Sequence, residues 1–192
     1  MVLHVGDSMA GALGLELNRQ LTTLGVRGYL IAKESTFIPQ WASAFDPMGN
    51  QFQAALGMYR PDLVIITLGG NELAMFNPAG RASAIKALVN SVGKRPCIWV
   101  AAPLWPKAIN TGLLDVIKAN CAPCTFVDTN AMIKLEVLKG DGIHPTIPER
   151  ARWARFMIDW LRYNRDPAGP LPWSIKAETQ PPPNVEPLPA KK

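Results

Sequence analysis

Residues 62–68, with the sequence DLVIITL, constrain the fold more than any other stretch because they form an almost continuous apolar run. Such a run is typical of a strand that is buried on both faces within a parallel sheet. Successive parallel strands need a long crossover connection, usually a helix. The run therefore predicts an α/β fold in which strands alternate with helices.

The rest of the chain supplies this alternation. Strands are predicted at residues 2–5, 26–32, 62–68, 97–102 and 125–128. Helices are predicted to begin near residues 9, 47, 78, 112 and 148, where apolar side chains recur at three- and four-residue spacing. We therefore expect a three-layer α/β/α sandwich with a five-stranded parallel sheet.

Length and composition predict one domain at residues 1–165. The chain has 192 residues and is 48% apolar, which suits one α/β core and is too little for two domains of ordinary size. From residue 166 the periodicity stops, and eight of the 18 prolines fall in residues 166–192. We expect these last residues to form an extended Pro-rich tail that adds little to the fold and is a candidate site for a protein partner.

The formal charge of +5 comes from basic residues scattered along the chain. The densest group, in residues 150–165, is interleaved with acidic residues and is interpreted as the solvated face of the last helix, so no nucleic-acid partner is predicted. No apolar run reaches the ~18–20 residues of a membrane span, and the N-terminus has no recognisable signal peptide. The default expectation is a cytoplasmic protein, with association with a virion as the alternative.

The three cysteines are Cys97, Cys121 and Cys124. A zinc site would need further ligands, and the two histidines, His4 and His144, are poorly placed to supply them. We expect free, mostly buried thiols, no metal and no cofactor.

Polar residues lie where the predicted strands end. Ser8 follows the first strand in a Gly-Asp-Ser turn, and Asn71 follows the third strand. Asp141 and His144 lie in a glycine-containing loop before the last helix. Ester hydrolysis through a serine needs a base for the hydroxyl proton and a carboxylate that orients the base. Because His4 lies inside a buried strand, His144 is the candidate base.

Three sequence blocks resemble those of the SGNH (GDSL-type) hydrolases. They are GDS at residues 6–8, GGNE at residues 69–72 and DGIHP at residues 141–145, and the resemblance covers about residues 2–162. It implies a sheet of flavodoxin-like topology and a serine-hydrolase site.

The resemblance also implies the role of each site residue. Ser8 would be the nucleophile, His144 the general base and Asp141 the residue that orients His144. The oxyanion hole would consist of the Ser8 N–H, the Asn71 side chain and an N–H of the loop after the second strand.

Two positions depart from the family pattern. Glu72 stands where the third block usually has aspartate, which we expect to affect loop packing more than chemistry. The second block usually contains glycine, but residues 33–36 have none. We assign Glu34 as the backbone donor of this loop, with Ser35 as the alternative.

The resulting prediction is a serine esterase that hydrolyses small-acyl, chiefly O-acetyl, esters on carbohydrate. Trp41 and Trp105 are expected to line the mouth of the site, where aromatic rings suit sugars. Two alternatives remain open: an O-acyltransferase, and a structural or binding protein that docks on a larger assembly, such as a phage particle, through its Pro-rich tail.

Overall fold

The computed structural model describes residues 1–183. Its five strands all run parallel and are β1 (Val2–Gly6), β2 (Gly28–Ala32), β3 (Leu63–Thr67), β4 (Cys97–Val100) and β5 (Thr125–Val127). Their order in the sheet is β2-β1-β3-β4-β5. This is the flavodoxin-like order, so the predicted fold is confirmed.

The helices within residues 1–183 are α1 (Ser8–Thr23), α2 (Ile38–Ala42), α3 (Pro47–Tyr59), α4 (Ala82–Val92), α5 (Leu113–Asn120) and α6 (Ile147–Asn164). Two details differ from expectation. The predicted loop at residues 33–41 contains the start of α2, and Pro78–Arg81 form a 3-10 turn before α4. Both segments contain a proline near the start of the helical turn, where its fixed φ and missing N–H are tolerated.

Helices cover both faces of the sheet. The strands have apolar side chains at both even- and odd-numbered positions, and these point to opposite faces. The even-numbered side chains Val64 and Ile66 of β3 pack in a core with α3, α4 and α5. The odd-numbered Leu63 and Ile65 pack in a second core with α1 and α6. Burial on both faces accounts for the continuous apolar run that β3 shows in the sequence.

The strand order changes direction between β1 and β3. From β1 the chain passes to β2 on one side, and it then returns to β3 on the other. Loops at such a point diverge and leave a crevice at the carboxyl ends of the strands, where ligands of open α/β sheets bind. The segments that carry Ser8 and Asn71 leave the sheet on either side of this crevice.

The expectation of free thiols is wrong for two of the three cysteines. Cys97 begins β4, and Cys124 lies immediately before β5, its neighbour in the sheet. The two form a disulfide, with their Cα atoms 4.6 Å apart. Cys121 is a buried free thiol, and burial raises its pKa to about 11.

The segment that follows α6 does not run free of the domain. Arg165 and Ile175 form an isolated antiparallel bridge. The side chain of Asn164 accepts from the Gln180 N–H at 2.8 Å and donates to the Gln180 carbonyl at 2.9 Å. Trp173 and Ile175 pack against the core between α1 and α6. The expectation that the tail adds little to the fold is therefore corrected for residues 166–183, whereas residues 184–192 lie outside the described part. The domain boundary at residue 165 stays a prediction.

Within residues 1–183, none of the helices combines the length and the apolar character that crossing a bilayer requires.

Truncation after Arg165 is expected to lower the melting temperature by about 5–15 °C, because it removes the Trp173 and Ile175 packing and the hydrogen bonds to Asn164. Truncation after Pro183 keeps those contacts and serves as the matched control. Differential scanning calorimetry of the full chain and both truncations checks this. Equal melting temperatures in all three would contradict a packed segment.

Candidate active site

The turn after β1 is shaped by the close approach of two strand ends. Gly6 has a φ of 154°, and a Cβ atom at this position would lie 1.9 Å from the Thr67 carbonyl oxygen. Only glycine fits this contact. Asp7 then caps α1, with its side chain accepting from the Met9 N–H at 2.9 Å. Ser8 is consequently the first residue of α1, half-buried at the carboxyl end of β1.

The loop before α6 is held closed by its own backbone. Val137 and Pro145 form an antiparallel bridge, and the Leu138 N–H donates to the His144 carbonyl at 2.8 Å. Gly142 has a φ of 67°, and its N–H donates to the Leu138 carbonyl at 2.8 Å. This hairpin-like loop fixes the position of His144 at the start of α6.

The structure brings Ser8, His144 and Asp141 together in one hydrogen-bonded chain. Nε2 of His144 lies 2.8 Å from Oγ of Ser8. Nδ1 of the same ring lies 2.9 Å from Oδ2 of Asp141. The other Asp141 oxygen, Oδ1, accepts from the N–H groups of Ile143 at 2.8 Å and His144 at 3.0 Å. Such a chain can take a proton from a hydroxyl and orient the ring that accepts it.

The second histidine, His4, does not take part in these hydrogen bonds. His4 is completely buried in β1, and its Nε2 lies 2.9 Å from Oγ1 of Thr67. Burial lowers the pKa of His4 to about 3, so the ring is neutral under ordinary conditions. Its role is in the core.

Asn71 faces the same cleft from the turn after β3. Its side-chain Nδ2 donates to the Thr36 carbonyl at 3.0 Å, which fixes the direction of the amide. An amide nitrogen carries two hydrogens, so one remains for a ligand in the cleft.

The loop after β2 provides both candidates for the second backbone donor. Glu34 and Ser35 line the cleft. The left-handed conformation that glycine would adopt most easily falls at Ser35, with φ 57°, and not at Glu34.

The two tryptophans differ in position. Trp105 lies in the wall of the cleft. The prediction for Trp41 is wrong, since its side chain is only 1% exposed and packs in the core with α2. Its indole N–H donates to Oγ1 of Thr36 at 3.0 Å. Trp41 therefore supports the residue whose carbonyl holds Asn71.

Glu72 connects the turn after β3 with two neighbouring segments. Its buried carboxylate accepts from the Ile38 N–H at 2.7 Å and pairs with the Arg81 guanidinium. This agrees with the expected role in loop packing, but the Arg81 partner could not be identified from the sequence. A longer side chain than aspartate lets the carboxylate reach both groups.

The cleft has a volume of about 1040 Å³. Besides the residues above, its wall includes apolar and charged side chains from five segments: Leu15, Leu30, Lys107, Ile109, Ile143 and Arg150. Residues 1–183 contain no cluster of three or more His, Cys, Asp or Glu side chains with the arrangement of a metal site.

Solved structures with the same fold include SGNH hydrolases. A protein from Slackia heliotrinireducens, provisionally designated an SGNH hydrolase, aligns with a TM-score of 0.55 and 17% identity over 82% of this chain and 95% of its own. The periplasmic domain of a lipopolysaccharide acetyltransferase from Salmonella ser. Paratyphi A aligns with a TM-score of 0.56 and 13% identity over 80% of both chains. LAE5, an alpha/beta hydrolase from the Lake Arreo metagenome, gives 0.54 and 14% over 79% and 91%. The chain therefore has the SGNH-hydrolase fold.

Sequence comparison adds one curated relative. Protein BcsX of Komagataeibacter xylinus is 32% identical over 108 residues, which cover 49% of this chain and 40% of BcsX. The match thus spans about two fifths of the length of BcsX. No protein-family model matches the chain.

The Asp141 carboxyl is expected to titrate near pH 2, since the Ile143 N–H, the His144 ring and the His144 N–H together lower its pKa to about 2. The ionised form is favoured on folding, so its contribution to stability is present above the ordinary value of about 3.8 and is lost as the pH falls toward 2. Carboxyl ¹³C NMR checks this. In His144→Ala the two backbone N–H donors remain, so the midpoint should rise only part of the way to 3.8. A wild-type midpoint near 4 would contradict these contacts.

Proposed function

We propose that this protein is a serine esterase that hydrolyses small-acyl esters through an acyl-enzyme at Ser8. The hydrogen-bonded chain from Ser8 through His144 to Asp141 is the observation that carries the proposal. His144 takes the Ser8 proton as Oγ attacks the ester carbonyl, and returns it to the leaving alcohol. Water then attacks the acyl-enzyme with His144 again as base, and His144 gives that proton back to Ser8 Oγ as the bond to the acyl group breaks and the carboxylic acid leaves. The Asp141 anion orients the ring and stabilises the imidazolium.

The negative charge that develops on the carbonyl oxygen requires donors aimed at it. The Ser8 N–H at the start of α1 and the second amide hydrogen of Asn71 are the first two. For the third we favour Ser35 over Glu34, because its left-handed backbone stands where glycine would be expected. An exposed backbone N–H at this loop needs no particular side chain.

Substrates are proposed to be O-acetyl esters on carbohydrate. The cleft is far larger than an acetyl group, so most of it is available to the alcohol portion of the ester. Trp105 offers an aromatic surface for a sugar ring, and Glu34 and Lys107 offer polar contacts to hydroxyl groups.

A panel of p-nitrophenyl esters and acetylated glycans would rank acyl and alcohol groups. Trp105→Ala should raise KM for glycans and leave that for p-nitrophenyl acetate nearly unchanged.

A fluorophosphonate is expected to label one serine, Ser8, because Nε2 of His144 lies 2.8 Å from its Oγ. Ser8→Ala should abolish labelling, and His144→Ala should slow it by at least ~10²-fold. Mass spectrometry of the labelled peptide identifies the serine. Ser91→Ala is the control, because its hydroxyl donates to the Leu88 carbonyl within α4. Labelling that survives in Ser8→Ala would refute the assignment.

Asn71→Ala should lower kcat by roughly 10²- to 10³-fold with little change in KM, because the lost donor matters most when charge develops on the oxyanion. Steady-state kinetics on p-nitrophenyl acetate measure both constants. Asn90→Ala, on α4, is the matched control. A raised KM with unchanged kcat would instead make Asn71 a substrate-binding residue.

An O-acyltransferase is the second candidate. The wide cleft could admit an acceptor hydroxyl in place of water, and the Salmonella structure with this fold is an acetyltransferase domain. Incubation with an acyl donor and a glycan acceptor separates the two: a transferase yields acylated glycan faster than free acid.

A structural role through the tail has less support. Residues 166–183 pack on the domain, which leaves residues 184–192, outside the described part, as the candidate segment for a partner.

The Cys97–Cys124 disulfide favours an oxidising compartment over the cytoplasm that the sequence suggested. Association with a virion stays open.

A further inference from the structure

The carboxylate of Asp7 joins two segments that carry site residues. Asp7 is completely buried. Its Oδ1 accepts from the Met9 N–H at 2.9 Å, and its Oδ2 accepts from the Gly70 N–H at 3.2 Å. Met9 directly follows Ser8, and Gly70 directly precedes Asn71. One side chain thus sets the position of the α1 N-terminus relative to the turn after β3.

We propose that Asp7 is a positioning residue that must be an anion: its two oxygens hold the Met9 and Gly70 N–H groups, and thereby keep Ser8 and Asn71 in reactive register. The inference rests on the proposed esterase function. It assigns no contact between Asp7 and the substrate.

The requirement for an anion follows from the donors that Asp7 faces. An ionised carboxylate accepts at both oxygens, whereas the protonated acid carries an O–H on one of them. After protonation, one of the two oxygens carries a hydrogen and accepts only a weak hydrogen bond from the N–H group that it faces. Bonds to an ionised acceptor are also about twice as strong as those between neutral groups. Both effects loosen the tie between the two segments.

The environment of Asp7 brings this protonation into the working range of an esterase. Burial, the largest effect, and the negative charge of Glu72 both raise the pKa of Asp7, which lies at about 6. The N–H groups of Met9, Gly70 and Gly69 act in the opposite direction. Glu72 is itself paired with Arg81.

The pH dependence of stability has the opposite sign to that of activity. Because the folded pKa lies above the ordinary 3.8, the folded protein binds this proton more readily than the unfolded chain. The Asp7 contribution to stability therefore grows as the pH falls from about 7 to 4, while the tie to Met9 and Gly70 weakens.

Asp46 provides a matched control. It caps α3 in the same way, since its side chain accepts from the Met48 N–H at 3.0 Å. It is half-buried and is absent from the wall of the cleft.

The kinetic experiment compares wild type, Asp7→Asn and Asp46→Asn on p-nitrophenyl acetate between pH 4.5 and 9, about the range over which carboxyl and imidazole groups titrate. Asp7→Asn should lower kcat about 10- to 100-fold at neutral pH with KM little changed. In wild type and Asp46→Asn, log(kcat/KM) should fall on the acid side with a slope about one unit steeper than in Asp7→Asn, because only the first two proteins carry a carboxyl at position 7 that must lose a proton. Equal slopes in all three proteins would overturn the proposal.

A second measurement does not depend on activity or on the folding of a variant. In ¹H–¹⁵N spectra of wild type, the amides of Met9 and Gly70 should shift with pH with one shared midpoint near 6, whereas that of Met48 should not share it. Absence of the shared titration would overturn the role of Asp7. Absence of hydrolysis and of Ser8 labelling would overturn the proposed esterase function instead.

Discussion

The contact between Gly6 and Thr67 is the constraint on which the site depends. The N–H of Asp7 donates to the Thr67 carbonyl at 3.2 Å, and this carbonyl leaves no room for a side chain on Gly6. Gly6 and Thr67 are also paired in the register of β1 and β3. Because the two strands end at the same level, the loops that follow them begin side by side. The distance between the Ser8 and Asn71 segments is therefore a property of the sheet rather than of flexible loops.

Two aspartates near this point show how environment separates carboxyl groups that are chemically identical. Asp141 is exposed, and its hydrogen bonds hold its pKa at about 2. Asp7 is buried, and desolvation outweighs its own hydrogen bonds and raises its pKa to about 6. The first stays ionised until the pH falls toward 2, whereas the second takes up a proton in mild acid. Pairs of groups whose pKa values are driven apart in this way are common in active sites.

Most of the fold was predictable because it follows from periodicity, and the site blocks were predictable because they lie where strands end. What the sequence left hidden depends on neighbours in space. Cys97 and Cys124 pair because β4 lies beside β5, which no spacing reveals. Trp41 does not line the mouth of the site, because α2 places its indole in the core. The left-handed backbone of Ser35 has no compositional sign, since glycine is the residue that normally marks it.

The tail shows the same limit, because proline-rich composition says nothing about a single well-placed side chain. Asn164, the last residue of α6, satisfies both backbone groups of Gln180 and so fastens a segment without periodicity. Packing of Trp173 against the core that includes α1 and α6 completes the attachment.

Ser8 and His144 are 136 residues apart in the chain, although their side chains touch. Closing so long a loop is entropically costly until the intervening sheet has formed, so the contact belongs among the late events of folding. During synthesis from the N-terminus, Ser8 emerges from the ribosome long before His144 does. A growing chain or an N-terminal fragment consequently lacks the Ser8–His144 contact, which forms only when α6 docks against α1. Completion of the domain and assembly of the Ser8, His144 and Asp141 side chains are thus one event.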